Sequence, residues 1–379
     1  MQLTKYKLGD LIVQRREKNK NYDAPIRGVS KEGFIRAKQQ EADTSIYNVF
    51  YKYDFVFNPA RMELNSIALN LEYEKALCSS LYEVFYVKDE NVVLPEFLNL
   101  HIKREEFARH CDYIGLGSAR EYCRFANISE FDIELPPIEV QREIVEADRL
   151  IKRRIRINEQ MIAKLEETAQ ALYRKMFVDG IDKENLPEGW RMGKIGEIIE
   201  SYSKSHTFDK KKLIFLNTSD VLEGKILLHD YSEVEKMPGQ AKKKIDNGDI
   251  LFSEIRPANK RFAFVREDHP EDFVVSTKLM VLRTKKNEYS YNNLKVYFYL
   301  TQQDVLDDLQ KQADGSSGTF PQITFDGNIR ERELIIADEL TEKKWSDCLS
   351  VYYKYRWEKE QENEKLTELQ SLLLTKMGQ

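Results

Sequence analysis

The 379-residue chain has no run approaching the ~20 consecutive apolar residues that a membrane-spanning helix needs, so an integral helical membrane protein is not expected. Cysteine is scarce. Cys78, Cys111, Cys123 and Cys348 are scattered without a C-x-x-C pair, which fits reduced thiols in a cytoplasm. His101, His110, Cys111 and Cys123 lack the spacing of a zinc site, so packing and surface roles are expected of them, and no metal. The opening MQLTKYKLGD has no apolar h-region, which predicts no secretory signal and a cytoplasmic location. A Walker A phosphate loop is missing, as is a glycine-rich loop suited to a methyl donor. Positive charge is not in surplus either. Lys and Arg number 59 against 64 Asp and Glu, a net charge of −5 that does not advertise a nucleic-acid partner.

The distribution of charge softens that exclusion. Residues 5–38 hold ten basic against four acidic side chains, and residues 241–261 hold six against three. Residues 337–379 are acidic, nine against seven. Local surplus sets the field that a phosphate backbone meets. A hydrophobic fraction of 41% suffices for real cores, and the length predicts two or three packed units.

The chain repeats itself. Lys7-Leu8-Gly9-Asp10-Leu11-Ile12 returns as Lys194-Ile195-Gly196-Glu197-Ile198-Ile199. Asp54-Phe55-Val56-Phe57 is echoed by Asp249-Ile250-Leu251-Phe252, each before a turn carrying arginine and proline. Lys164, Leu165, Glu167, Leu172, Lys175 and Met176 match Lys365, Leu366, Glu368, Leu373, Lys376 and Met377 at a constant offset of 201. The three pairs occur in the same order, so the chain reads as two similar halves in tandem.

Each half begins with short β-branched and aromatic runs. Residues 81–87 and 273–282 are strand candidates. The glycine-rich turns Gly115-Leu116-Gly117-Ser118 and Gly315-Ser316-Ser317-Gly318 follow. With helical stretches around 94–110 and 291–312, the expected fold class is α+β. Each globule then leads into a long helix. Ile144, Asp148, Ile151, Ile155, Asn158, Ile162, Leu165, Ala169, Leu172 and Met176 alternate at spacings of four and three, the pattern of a coiled-coil seam. A helix over 137–177 spans roughly 60 Å at ~1.5 Å per residue and cannot bury its stripe alone. Its expected partner is the second helix, through Leu366, Leu369 and Leu373. The expected division is 1–136 as a first globule, 137–178 as the central helix, 179–336 as linker and second globule, and 337–379 as the second helix.

Leu135-Pro136-Pro137-Ile138-Glu139-Val140-Gln141-Arg142-Glu143-Ile144 resembles the L-P-P-x-x-x-Q-x-x-I pattern that opens the central helix of Type I restriction–modification specificity subunits. Leu186-Pro187-Glu188-Gly189-Trp190 is similar to the L-P-x-G-W that introduces a target-recognition domain there, and residues 315–324 are similar to the turn that closes one. The first half lacks an L-P-x-G-W, and Leu334-Ile335-Ile336-Ala337-Asp338 lacks both prolines.

The resemblance implies a non-catalytic DNA reader. Two target-recognition domains sit on an antiparallel coiled coil with pseudo-two-fold symmetry. Each reads one half of a bipartite double-stranded site, and the helices set the spacer. It also implies two methyltransferase subunits, which would bind S-adenosylmethionine, and restriction subunits as partners; the chain itself is expected to hold no cofactor. Arg, Lys, Asn and Gln match base edges and phosphates. The candidates in the first domain are Arg15, Arg16, Lys18, Lys20, Asn58, Arg61 and Arg120; in the second they are Lys210, Lys211, Lys212, Arg256, Lys260 and Arg261.

Enzymatic readings fare worse. Asn58-Pro59-Ala60-Arg61 lacks the second proline and the aromatic ring of an adenine methyltransferase loop. Asp249 with Glu254-Ile255-Arg256 replaces the lysine of a nuclease E-x-K by an arginine that does not give up a proton. A coiled-coil scaffold without a DNA role, or the specificity subunit of another multi-subunit restriction system, stays open.

Overall fold

The computed structural model describes residues 3–20, 23–37, 43–115, 122–285, 292–315 and 321–376. The chain forms two compact units, one of residues 1–160 with 359–379 and one of residues 161–358.

In the first unit, strand Thr4–Lys7 pairs antiparallel with Asp132–Leu135. The chain then makes a single helical turn, Leu8–Leu11, which accounts for the first repeated motif. Leu8 and Leu11 are buried, and the Lys7 amide donates to Asp10 Oδ2 at 3.3 Å. A side chain on Gly9 would meet Ser129 Cβ at 2.8 Å, so the close approach demands glycine. The second unit repeats the arrangement. Arg191–Lys194 pairs with Glu333–Ile336, the Lys194 amide donates to Glu197 Oε1 at 2.9 Å, and a Cβ on Gly196 would meet Arg330 Cγ at 2.5 Å.

Two four-stranded sheets follow in each unit, in matching order. The first sheet runs Ile12–Arg15, Glu83–Val87, Phe55–Phe57, Ile67–Leu69; its counterpart runs Ile199–Ser201, Leu279–Thr284, Ile250–Ser253, Phe262–Phe264. The second sheet of each unit contains one parallel pair, Ile26–Ser30 with Lys75–Cys78 and Lys212–Leu216 with Phe273–Ser276. Alternation along a strand separates the cores. Phe55 and Phe57 enter one apolar cluster and Val56 another; Ile250 and Phe252 are likewise split from Leu251. Helices Pro95–Ile102 and Glu105–Gly115 in one unit, and Asn292–Leu300 and Gln303–Asp314 in the other, complete the α+β globules.

The long helices are α1 (Ile138–Phe177) and α2 (Glu339–Lys376). The first unit contains residues 138–160 of α1 and 359–376 of α2, and these run antiparallel. Arg154 Nε donates to Glu362 Oε1 at 2.5 Å, Asn158 Nδ2 to Asn363 Oδ1 at 2.9 Å, and Gln370 Nε2 to Asp148 Oδ1 at 2.7 Å. Ile151 and Asn158 are buried, with Ile144 and Ile155 half-buried beside them. One expected seam residue is corrected. Leu369 is 52% exposed. Counting in threes and fours from Asn363 through half-buried Leu366 reaches Gln370 and then Leu373, so the polar Gln370 takes the seam position opposite Asp148.

In the second unit the seam grows broader and aromatic. Ile162, Ala169, Tyr173 and Phe177 are buried, while Leu165, Leu172 and Met176 pack half-buried on the same core. Tyr173 and Phe177 meet Trp345 edge-on, with ring centroids 5.8 and 5.5 Å apart. Glu166 accepts hydrogen bonds from the Tyr352 hydroxyl and, at 3.0 Å, from Arg356.

The motifs that differ between the halves have local compensations. Gln141 is fully buried and satisfied, donating to the carbonyls of Val92 and Pro136 at 2.9 Å each while its oxygen accepts the Leu94 amide at 3.1 Å. Glu342 holds the same place, six residues beyond the strand end, and is paired with buried Lys295. Asp338 stands where Pro137 stands in the first half. It caps α2 by accepting the Thr341 amide at 3.1 Å and also accepts Trp190 Nε1 at 2.7 Å, so the L-P-x-G-W tryptophan is tied to the helix start.

Candidate nucleic-acid interface

Two loops at equivalent positions carry the arginines singled out from sequence. In the first unit, the loop of residues 58–66 joins Phe55–Phe57 to Ile67–Leu69; in the second, residues 253–261 join Ile250–Ser253 to Phe262–Phe264. Phe57 faces Ile67, and Phe252 faces Phe262, so both ladders enclose nine residues and Arg61 is the counterpart of Arg256.

The loops are fixed from below. Asn58 Oδ1 accepts the Ala60 amide at 3.1 Å and starts a 3₁₀ turn, and Asn65, in the left-handed region at φ +51°, ends it. Asn65 Nδ2 donates to the Ile102 carbonyl at 3.3 Å, and Lys103 Nζ to the Ile67 carbonyl at 2.8 Å. In the second loop Arg256 and Lys260 lie at φ +47° and +53°, conformations that non-glycine residues adopt at a cost. The Ala258 amide donates to Gln310 Oε1 at 3.0 Å, and Arg261 Nη1 to the Ser219 carbonyl at 2.8 Å. Each loop is laced to the segment that follows its glycine-rich sequence, and those sequences, expected as turns, lie outside the described residues beyond Gly115 and Gly315. The Cys123 amide donates to the Pro59 carbonyl at 3.0 Å, and the Arg256 amide to the Pro321 carbonyl at 3.1 Å.

Six of the twelve predicted cations are already engaged, Arg261 among them. Arg15 is bidentate to buried Asp54 (2.6 and 3.0 Å) and lies over the rings of Tyr51 and Tyr86. Burial pushes the Asp54 carboxyl up from its ordinary range, and the guanidinium opposes that shift. Lys210 is held by Asp272, and Lys260 lies 3.3 Å from Glu223. Arg16 donates to Gln14 Oε1 at 2.8 Å, and Lys18 to the Ile46 carbonyl at 3.0 Å. Lys20, Lys211 and Lys212 are exposed. Arg120 lies outside the described residues.

Sequence reasoning missed Arg283, which is bidentate to Asp249 at 2.7 and 2.6 Å and stacks 3.7 Å from the centroid of Tyr202. Arg27 and Arg36 were also missed; they face each other across a hairpin ladder beside an open groove of about 840 Å³. The pairing of the hairpin is the signal that would have found them. Among the described residues no cluster of three or more His, Cys, Asp or Glu is placed to hold a metal ion, and no helix is long and apolar enough to cross a membrane.

Comparison with known proteins bears on this arrangement. The family profile described as Type I restriction modification DNA specificity domain matches residues 2–167 and again 187–368. A Type I restriction enzyme HindI specificity subunit from Haemophilus influenzae is 39% identical over 162 residues, which make up 42% of this chain and 34% of that relative. The match therefore spans about a third of the relative's length. A Type I restriction–modification S subunit from M. genitalium superposes with a TM-score of 0.58 at 13% identity, over 99% of this chain and 96% of the other. A chain from a structure concerned with complex assembly and conformational transition of the type I R-M system gives a TM-score of 0.50 at 17% identity, over 99% and 97%. At these identities the likeness to the solved structures is one of fold.

Proposed function

The chain belongs to the family of Type I restriction modification DNA specificity domains, and from that premise we propose that it is a non-catalytic specificity subunit reading a bipartite DNA site. The observation that carries the reading is the tandem match. One chain holds two copies of a DNA specificity domain, each with its own long helix, so it has two readers for one duplex.

In this reading each globule contacts one half-site. Exposed lysines such as Lys20, Lys211 and Lys212 meet phosphates, while loop side chains meet base edges. The helices set the number of unread base pairs and offer docking surfaces to two methyltransferase subunits. Those subunits would bring S-adenosylmethionine and the chemistry of adenine methylation, and restriction subunits would bring cleavage. A cytoplasmic location follows from a DNA substrate in the cell.

The test is a map of methylated adenines in cells expressing this chain with a Type I methyltransferase subunit, against cells expressing the methyltransferase alone. Methylation at one split motif that disappears without the chain is the expected result. Identical maps would overturn the reading.

A further inference from the structure

Nine residues separate the paired strands in each of the two loops, and the copies carry the same residue at one of those nine positions only. That residue is arginine, Arg61 in one copy and Arg256 in the other. Both side chains are exposed, and neither has a polar partner among the described residues. Their neighbours differ in that respect. Lys260 is paired with Glu223, Arg261 is spent on backbone carbonyls, and Asn58 and Asn65 hold the turn itself.

The backbone beneath each arginine is fixed although the two conformations are unlike. Arg61 interrupts its 3₁₀ turn at φ −142° and ψ 30°, its amide donating to the Asn58 carbonyl and its own carbonyl accepting the Ser66 amide. Arg256 sits in the left-handed region, its amide bound to the Pro321 carbonyl and its carbonyl accepting the Asn259 amide at 2.9 Å. A planar guanidinium on a pre-set backbone loses less freedom on binding than one on a mobile loop. Its fork matches the O6 and N7 acceptors of guanine in the major groove, the commonest specific pairing between a side chain and a base.

We propose that Arg61 and Arg256 are equivalent base readers, each recognising one guanine in its own half-site through a bidentate contact. The proposal rests on the bipartite DNA-reading function above and names which side chains carry its specificity.

The experiment maps methylation by the full chain with its methyltransferase subunit, comparing the parent with R61A, R256A and R256K. R256A is expected to lose the guanine preference at one position of one half-site, raising methylation of sites with another base there by about 5- to 150-fold relative to guanine sites. R61A is expected to do the same in the other half-site, each variant leaving the opposite half unchanged. R256K keeps the charge but not the fork, so it is expected to lose the preference as R256A does. Uniformly weaker methylation in R61A and R256A with every base preference intact would overturn the proposal in favour of a phosphate contact, and a parental preference in R256K would overturn the bidentate fork. A parent that methylates no motif sinks the underlying function instead. Where a variant methylates too slowly to map, competition between duplexes bearing each of the four bases decides: flattened discrimination supports the assignment, and parental discrimination overturns it.

Discussion

Asp54 and Asp249 occupy the same place in their sheets, since Phe55 faces Phe85 where Ile250 faces Leu282. Each accepts a bidentate guanidinium that is stacked on a tyrosine, but the roles are exchanged. Arg15 reaches Asp54 and stacks on Tyr86, whereas Arg283 reaches Asp249 and stacks on Tyr202. Arg15 is the counterpart of Tyr202 by position, and Tyr86 that of Arg283, because Val13 faces Tyr86 as Glu200 faces Arg283. The repeated aspartate was legible in sequence, but its partner was not, because the guanidinium comes from a different strand in each copy. The sequence assigns His101 an ordinary packing or surface role. It is buried against Phe97 with Nε2 unpartnered, and burial, with Arg104 nearby, pushes its imidazole down to about 4. The folded state therefore keeps it neutral while the unfolded chain, titrating near 6.5, takes up a proton. Stability from this group is complete above pH ~6.5 and is lost as pH falls toward 4, by roughly 3 kcal/mol over the whole window. Urea unfolding at pH 7 and pH 5 is expected to show a smaller loss for His101→Phe than for the parent; an equal loss would assign the pH dependence to other groups.

Among elements, the two helix starts show how one framework tolerates different chemistry. Gln141 buries a neutral amide with its hydrogen bonds made, next to a helix that places Phe97 five residues before its end. Glu342 buries a carboxylate, and Lys295, also five residues before the end of its helix, supplies the opposite charge from above the Phe177 ring. Removing one member leaves a buried charge alone, which costs about 3–5 kcal/mol. Lys295→Met is expected to destabilise the protein by that order in urea unfolding. Lys295→Met with Glu342→Gln, which restores a neutral pair, is expected to return to within about 1 kcal/mol of the parent or exceed it. A double variant as unstable as the single one would mean that packing volume, not charge, governs the site. The missing prolines of the second half were visible in sequence as a departure. Their compensation through Trp190 and Lys295 was not, because those residues come from segments about 150 and 40 positions away from the motif in the chain. The helical seam was legible to its period, and its fault at Leu369 arose because Leu366, Leu369 and Leu373 also keep a spacing of three and four, while the polar partner that draws Gln370 into the seam, Asp148, lies on the other helix.

For the whole molecule, the duplication was the most legible feature, since matched motifs in matched order require no structural knowledge. Which of the twelve candidate cations stand free was not legible, because that depends on carboxylates and carbonyls brought up by other strands. On the proposed function, the helices determine the length of unread DNA. Inserting one turn of about four residues in both, between residues 160 and 161 and between 358 and 359, adds roughly 6 Å, close to two base pairs at ~3.4 Å each. A methylation map is expected to show the same two half-sites with a spacer about two base pairs longer; an unchanged spacer would remove the helices from that role.

The first unit is assembled from two separated stretches of chain, whereas the second is continuous. Arg154 and Glu362, which meet across its seam, are 208 residues apart. A ribosome adding about 5–20 residues per second needs on the order of 10–40 s to bridge that gap. During that interval the stripe of Ile144, Ile151 and Ile155 has been made but its complement has not, while everything the second unit needs emerges in a single pass. Birth order thus runs against chain order: the unit begun first is the one completed last.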